Sequence, residues 1–453
     1  MTKTLPAGLE TGYSHAVLTW IGDDGYPMSV ASRFTTKGER VVLEEIGEVV
    51  SPPSGRDVGL IFSHIRPRPG EGYDERRYVS AWGRLRRSGK TLAFETSGAY
   101  AWDEKETPFF QYSELTVPQA HRYLDELSER KGERVKPKLS FGWLFLRATR
   151  LPFLSATMVP VMLGVAVAAR NGPWRPGLAA LTLLAACFIH LGLNVANDVF
   201  DASSGADDAN TRPTPFSGGS RVIQYGLVSR RTMALIAAGF YAGGIGIGVW
   251  LAVMRGFWAI FLIGAIGVFV SLAYTAPPLR LVHRGVGEFM VALGFGPIVT
   301  LGAFYVQAQR FAWEALYASL PVALLIALVL YLNEVPDRTA DAVAGKRTLP
   351  VRWSPQAVLR GYAAAVVATY GLIVGGVASG LMPMPALVAL LTIPTAIKVY
   401  RGARDAYDDP YMLMPVMAKN IGLHFITGTL LVLAFVVSAI ANHTMTDVPR
   451  LLE

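Results

Sequence analysis

Polar and apolar residues are distributed in two different ways along the chain. Up to about residue 115 they alternate. His15-Ala-Val-Leu-Thr-Trp-Ile21 and Met28-Ser-Val-Ala-Ser-Arg33 flank the turn Gly22-Asp-Asp-Gly-Tyr-Pro27 and read as a hairpin, with further strands predicted over 41–45, 58–65, 78–85 and 91–95. A helix over 118–131 follows, and then a basic linker through Arg134, Lys136 and Lys138. From Leu151 onward, apolar stretches recur that can cross a hydrocarbon core of ~30 Å, which takes about 20 helical residues. Nine are predicted, at 151–169, 178–200, 232–254, 256–275, 286–306, 314–333, 358–380, 384–400 and 420–441, the eighth interrupted by Pro394.

Composition supports a membrane protein joined to a polar piece: 52% of the 453 residues are hydrophobic. Residues 1 to 140 hold 20 Lys+Arg against 20 Asp+Glu, and the remainder holds 22 against 14, so the whole +8 excess belongs to the apolar part. The lone Cys187 excludes an internal disulfide and a cysteine-based zinc site. Met1–Pro6 lacks the apolar core of a signal peptide. Basic residues crowd the loops after the second, fourth, sixth and eighth spans, among them Arg212, Arg221, Arg280, Arg338, Lys346, Arg401 and Lys419, whereas the opposite loops carry only Arg170, Arg175, Arg255 and Arg310. The positive-inside rule then puts the amino-terminal piece in the cytoplasm and the carboxyl terminus outside.

Two acidic clusters stand at the ends of apolar spans, where ionisable groups are costly and usually functional. In the first, Asn194, Asn197, Asp198 and Asp201 are spaced i, i+3, i+4, i+7 and share one helix face. The second runs from Asn333 through Asp337 and Asp341 to Gly345-Lys346-Arg347-Thr348. Carboxylates and amide oxygens suit Mg²⁺, which takes one or two protein carboxylates and completes its shell with water and phosphate. Two such clusters on one side of the membrane are expected to grip a diphosphate through bridging metal.

These residues resemble the UbiA superfamily of intramembrane prenyltransferases, over most of 147–440. The resemblance rests on Asn197-Asp198-Val-Phe-Asp201 with Asp207 and Asp208 beyond it, and on Asn333, Asp337, Asp341 and Gly345-Lys346-Arg347-Thr348. Ser217-Gly218-Gly219-Ser220-Arg221, Tyr274-Thr-Ala-Pro-Pro278-Leu-Arg280 and Gly285-Val-Gly287-Glu288 agree with it, and the pattern is most similar to the branch that prenylates 1,4-dihydroxy-2-naphthoate in menaquinone synthesis. Two positions depart. Tyr274 is followed four residues later by Pro278 instead of the ubiquinone branch's Lys, and Pro336 replaces an Arg common ahead of the second motif. Pro336 suits a helix first turn, so the sixth span is expected to break near Asn333 and a new turn to present Asp337 and Asp341.

The resemblance implies transfer of a polyprenyl group from its diphosphate to an aromatic ring carbon, with Asp198, Asp201, Asp337 and Asp341 as catalytic residues. It implies one Mg²⁺ held by Asn197, Asp198 and Asp201 with Asp207 or Asp208, aided by Asn194, and another by Asp337 and Asp341 supported by Asn333. Arg221, Lys346 and Arg347 are candidates for phosphate contact, or simply cytoplasmic loop cations. Phe200, Tyr274, Phe289, Phe295 and Tyr331 are candidate walls for a carbocation, or packing residues. His190 lines an acceptor pocket or hydrogen-bonds between helices, Glu288 orients a ring hydroxyl or rests in the interface, and the glycines of 239–248 serve close packing or a lateral opening. Other acceptors with the same donor remain open: another quinone precursor, a porphyrin or a glycerol phosphate lipid. A secondary transporter is the alternative from another class.

The strand order of the first 130 residues resembles the pyridoxamine 5′-phosphate oxidase-like, flavin-binding split barrel. That implies FMN or another phosphorylated cofactor, with Arg76, Arg77 or Arg84 as nominal phosphate partners, or else a barrel serving as a cap or dimer interface. The expected architecture is thus a small soluble β-barrel domain (1–132), a linker (133–146), a multi-pass all-α bundle of about nine transmembrane helices (147–442) and a tail (443–453). Expected partners are polyprenyl diphosphate, an aromatic acceptor and the lipid bilayer of the inner or plasma membrane, not nucleic acid.

Overall fold

The computed structural model describes residues 4–38, 40–44, 55, 57–69, 72–88, 91–137, 139–170, 172 and 174–447. Glu45 of one expected strand, Lys138 of the expected linker and residues 448–453 of the tail lie outside the described residues. Two compact units are present, 1–113 and 114–453.

In the first unit the strands β1 (Ala16–Ile21), β2 (Pro27–Ser32), β3 (Phe34–Lys37), β4 (Arg40–Leu43), β5 (Asp57–Arg68), β6 (Gly72–Ser88) and β7 (Thr91–Asp103) pair antiparallel in the order β2-β1-β5-β6-β7-β4-β3. The predicted hairpin is β1–β2, with Ala16 opposite Ser32 and Ile21 opposite Pro27. Alternation makes the core: Leu18, Leu60, Phe62, Val79, Leu85 and Phe94 are buried on one face, each such side chain contributing roughly 1.5–3 kcal/mol of burial. The sheet curls into a half-barrel whose end strands β2 and β3 each have a single partner. Among the described residues this curled half-barrel is the small β domain expected from the sequence. Strand β3 escaped prediction because Phe34-Thr-Thr-Lys37 has one apolar residue and pairs only with β4. The nominal phosphate partners are engaged within the sheet unit: Arg76 pairs with Glu104, Arg77 Nη2 donates to the Gly12 carbonyl at 3.1 Å, and Arg84 lies 3.2 Å from Asp57.

The following helix runs Phe109–Lys131, starting nine residues before the expected position, with Pro118 inside it. Its first turns are fixed by tertiary contact: the Tyr112 ring lies 5.0 Å from that of Trp102, and its hydroxyl bonds that of Tyr78.

In the second unit, nine helices among the described residues are long and apolar enough to cross a membrane: Leu151–Ala169, Pro176–Ser204, Arg230–Arg255, Phe257–Thr275, Gly287–Ala308, Trp313–Val343, Pro355–Ala378, Met384–Asp405 and Pro410–Thr444. The sixth is the most enclosed, packing on the first, seventh and ninth through Val322, Leu325, Ile326, Ile373 and Phe435. It does not break near Asn333; a single helix carries Pro321 and Pro336 through to Val343. Enclosure by neighbouring spans lets a transmembrane helix tolerate the lost N–H, which a reading of Pro336 by local preference alone overlooks. In the third span Gly243 and Gly244 face Phe188, Ile189 and the Ala185 carbonyl, giving close packing on the second span, while Gly248 faces a cavity. The eighth span changes from a tight 3₁₀ stretch to an α-helix at Ile393, beside the expected interruption at Pro394.

Candidate active site

The carboxyl end of the second span and the short turn Ala206–Ala209 after it turn Asn194, Asn197, Asp201 and Asp207 onto a polar cavity of about 190 Å³. Asn194 Nδ2 donates to the Thr149 carbonyl at 2.9 Å, and Asn197 Nδ2 to Asp201 Oδ2 at 2.9 Å. The opposite wall is Asn333, Glu334, Asp337 and Asp341 of the sixth span, with Lys346 just beyond it. The two clusters are tied together. Lys346 Nζ lies 2.9 Å from Asp201 Oδ1 and 3.6 Å from Asp341 Oδ1, and Asn210 Nδ2 donates to Asp337 Oδ1 at 2.8 Å.

The Ser217–Arg221 loop completes the tie with backbone donors. Gly218 N–H donates to Asp337 Oδ2 at 2.8 Å, and Ser220 N–H to Asp198 Oδ1 at 3.3 Å. Its glycines are required by both dihedral angle and space. Gly218 and Gly219 have φ of 74° and 76°; a Cβ would stand 2.6 Å from Asn210 Nδ2 at the first and 2.6 Å from Asp207 Oδ2 at the second.

Six carboxylates (Asp198, Asp201, Asp207, Glu334, Asp337, Asp341) line or flank this cavity, against the cations Arg150 and Lys346. Burial, and then the neighbouring Asp201 and Asp198 carboxylates, push the Asp207 carboxyl up to about 8. Burial works against the Lys346 charge, but the Asp201 and Asp341 carboxylates outweigh it and hold the ammonium above its ordinary range. A diphosphate alone would be repelled by such a site. Among the described residues no three His, Cys, Asp or Glu groups converge into a preformed metal cage. Asn333 Oδ1, a buried oxygen of a residue that lines the cavity, is nevertheless without a hydrogen-bond partner. This donor set fits a hard divalent cation that takes few protein oxygens and finishes its shell on a ligand.

A second, apolar cavity of about 520 Å³ lies among the first to fifth spans and shares His190, Leu193, Tyr274, Val291 and Phe295 with the polar one. His190 Nδ1 and Thr157 Oγ1 are 2.7 Å apart, and the imidazole lies 4.6 Å from the Phe295 ring.

Not every predicted residue reaches a cavity. Asp198 is buried behind the wall and paired with Arg150. Arg221 is buried against Glu114 and the Asp207 carbonyl, and Arg347 is not part of the lining. Phe200 packs beside Val195 and Met233, Tyr331 is buried and donates to the Val358 carbonyl at 3.0 Å, and Phe289 is exposed on the helix surface. Glu288 accepts from Leu349 N–H at 2.8 Å, beside Glu334. Sequence reasoning missed Arg150, Asn210, Phe153 and Phe216, which all line the cavity. Arg150 has a left-handed backbone (φ 51°) between a helix and the first span, a signal no periodicity carries.

Residues 157–414 match the UbiA prenyltransferase family. The 2-carboxy-1,4-naphthoquinone phytyltransferase of Synechocystis is 26% identical over 291 residues, covering 64% of this chain and 91% of that protein. The 1,4-dihydroxy-2-naphthoate octaprenyltransferase of Bacillus subtilis is 24% identical, covering 62% and 88%, and that of Mycobacterium tuberculosis is 34% identical over 201 residues, covering 44% and 66%. A solved UbiA homologue from Archaeoglobus fulgidus bound to GPP and Mg²⁺ is 17% identical, with a TM-score of 0.44 over 64% of this chain and 99% of that one. With more than half of its length matched, the chain belongs to the UbiA prenyltransferase family, a family of transferases, and is a multi-pass membrane protein.

Proposed function

We propose that this protein transfers a polyprenyl group from its diphosphate to a ring carbon of an aromatic acceptor, 1,4-dihydroxy-2-naphthoate, at the cavity between the second and sixth spans. The observation that carries this reading is the meeting of both acidic clusters, with Lys346 between them, at a polar cavity that shares a wall with a larger apolar one. The names of the relatives support the acceptor.

In this reading Asp201, Asp207, Asp337 and Asp341, with Asn197 and Asn333 beside them, would hold Mg²⁺, which when bound would supply Lewis-acid neutralisation of charge growing on the leaving diphosphate. Lys346 and Arg150 are the protein's own cations at that place and stabilise the same charge. Asp198 acts through Arg150, which it orients. Asn210 and the Gly218 N–H hold Asp337 in position. His190, Tyr274 and Phe295 form the passage into the apolar cavity, where exclusion of water protects the allylic cation and aromatic faces stabilise it until the ring carbon attacks. The polyprenyl tail occupies the apolar cavity.

The excess of basic residues in alternate loops supports a reading in which both clusters and residues 1–113 face the cytoplasmic side of the cell membrane and the carboxyl terminus faces outside. A flavin in the sheet unit gains no support from Arg76, Arg77 and Arg84, which are engaged within that unit. The test is incubation of the purified protein with labelled polyprenyl diphosphate and a panel of acceptors, with Mg²⁺ or with chelator. The reading expects a Mg²⁺-dependent prenylated naphthoquinol. Prenylation of a different acceptor would replace the pathway and keep the chemistry; no diphosphate release with any acceptor would contradict both.

A further inference from the structure

Arg221 closes the loop that supplies backbone donors to Asp198 and Asp337, yet its guanidinium points away from the cavity toward a carboxylate on the Phe109–Lys131 helix. Arg221 Nη2 lies 2.6 Å from Glu114 Oε2, and Nη1 donates to the Asp207 carbonyl. The other oxygen of Glu114 accepts from the Tyr225 hydroxyl. Both members of the ion pair are buried, with side chains 8% and 9% exposed, so neither charge has water to replace its partner. His121, two turns further along the same helix, lies 3.0 Å from the Tyr225 carbonyl, and Arg147 Nε donates to the Ser220 carbonyl at 2.8 Å. Glu114, His121 and Arg147 all precede residue 157, where the family match begins, so the groups gripping this loop come from outside the matched segment.

We infer that Glu114 is a positioning residue for the diphosphate site: through Arg221 it fixes the Ser217–Arg221 loop, and through that loop the carboxylates of both acidic clusters. The inference rests on the proposed function. Arg221 adopts φ 63°, an uncommon conformation for a residue with a Cβ, and here a fork of hydrogen bonds to Glu114 and the Asp207 carbonyl holds it. Three residues back, the Gly218 N–H contacts Asp337, and one residue back the Ser220 N–H contacts Asp198. Loss of the Glu114 charge leaves the buried Arg221 guanidinium without its counter-ion and weakens the fork that holds it. The loop then relaxes, and the carboxylates it aligns lose their common geometry. At the acceptor end of the site, among the described residues, His190 hydrogen-bonds Thr157 and lies beside the Phe295 ring instead of joining this chain of hydrogen bonds.

The test uses the full-length protein and the variants Glu114→Gln, Glu114→Asp and Tyr225→Phe. Two readouts are taken below the unfolding transition of each: Mg²⁺-dependent binding of inorganic pyrophosphate by calorimetry, and steady-state prenyl transfer as a function of Mg²⁺ and of acceptor. Misplacement of catalytic groups by a fraction of an ångström to about 1 Å typically costs 10- to 100-fold, so Glu114→Gln is expected to weaken pyrophosphate binding about tenfold and raise half-saturating Mg²⁺ by a similar factor. The acceptor KM stays unchanged, Glu114→Asp recovers part of the loss, and Tyr225→Phe shows a smaller shift of the same kind. Wild-type pyrophosphate affinity and Mg²⁺ dependence in Glu114→Gln would overturn the inference. So would a lowered Tm with the Mg²⁺ requirement and the acceptor KM altered together, which marks a structural bridge only. Should Glu114→Gln not fold, Tyr225→Phe decides by the same criteria. An active wild type with an unaffected variant removes this inference alone; a wild type that neither binds pyrophosphate nor transfers prenyl groups removes the functional reading and the inference with it.

Discussion

The sheet unit and the membrane unit use the same charged residues under opposite conditions. On the sheet, Arg76 meets Glu104 with side chains 32% and 26% exposed, and Arg84 meets Asp57 with both largely in solvent. Around the candidate site, Lys346 meets Asp201 with side chains 10% and 6% exposed, and Arg221, in the loop after the second span, meets Glu114 of the Phe109–Lys131 helix with side chains 8% and 9% exposed. Exposed pairs are screened and contribute little, whereas a buried charge that loses its partner is strongly unfavourable. The sheet pairs therefore decorate a fold set by Leu18, Leu60, Phe62 and Phe94. The buried pairs around the candidate site hold an arrangement that apolar packing alone would not choose, and in the proposed function that arrangement serves the diphosphate.

The contrast can be broken in order of size. Asp337→Ala removes a carboxylate held by Asn210 and the Gly218 N–H, and product formation in the prenyl transfer assay falls by about 10²- to 10³-fold, the range for loss of one strong electrostatic contact to a transition state. Lys346→Ala leaves Asp201 and Asp341 buried together without their cation; thermal melts in detergent show destabilisation of about 3–5 kcal/mol, relieved when Mg²⁺ and pyrophosphate are added. Gly219→Ala meets Asp207 at a left-handed φ and costs about 1–3 kcal/mol, read as a lower Tm with a raised Mg²⁺ requirement. Arg84→Ala on the sheet, which removes a pair largely in solvent, leaves the Tm and the transfer rates essentially unchanged; an effect as large as that of Lys346→Ala would erase the contrast.

What the sequence discloses follows from what is local. Apolar length marks each span, and the i, i+3, i+4, i+7 spacing of Asn194 to Asp201 marks a shared helix face, because both depend on helix geometry alone. Continuity of the sixth span through Pro336 is not local: it depends on the spans that enclose it. The same holds for Arg150 and Asn210, which reach the cavity from turns, and for the helix start at Phe109, fixed by Tyr112 against Trp102. Arg221 shows the limit most plainly. A conspicuous cation in a Ser-Gly-Gly-Ser-Arg loop reads as a phosphate ligand until its partner, Glu114 on a helix 107 residues away in sequence, is known.

The central claim is that the two acidic clusters form one diphosphate site. Calorimetric titration of pyrophosphate in the presence of Mg²⁺ tests it on the wild type, Asp201→Ala, Asp337→Ala and the double variant. If the clusters act as a unit, either single substitution removes nearly as much affinity as both together, a strongly non-additive cycle. Independent, additive losses from the two substitutions, or binding that survives in the double variant, would contradict the account.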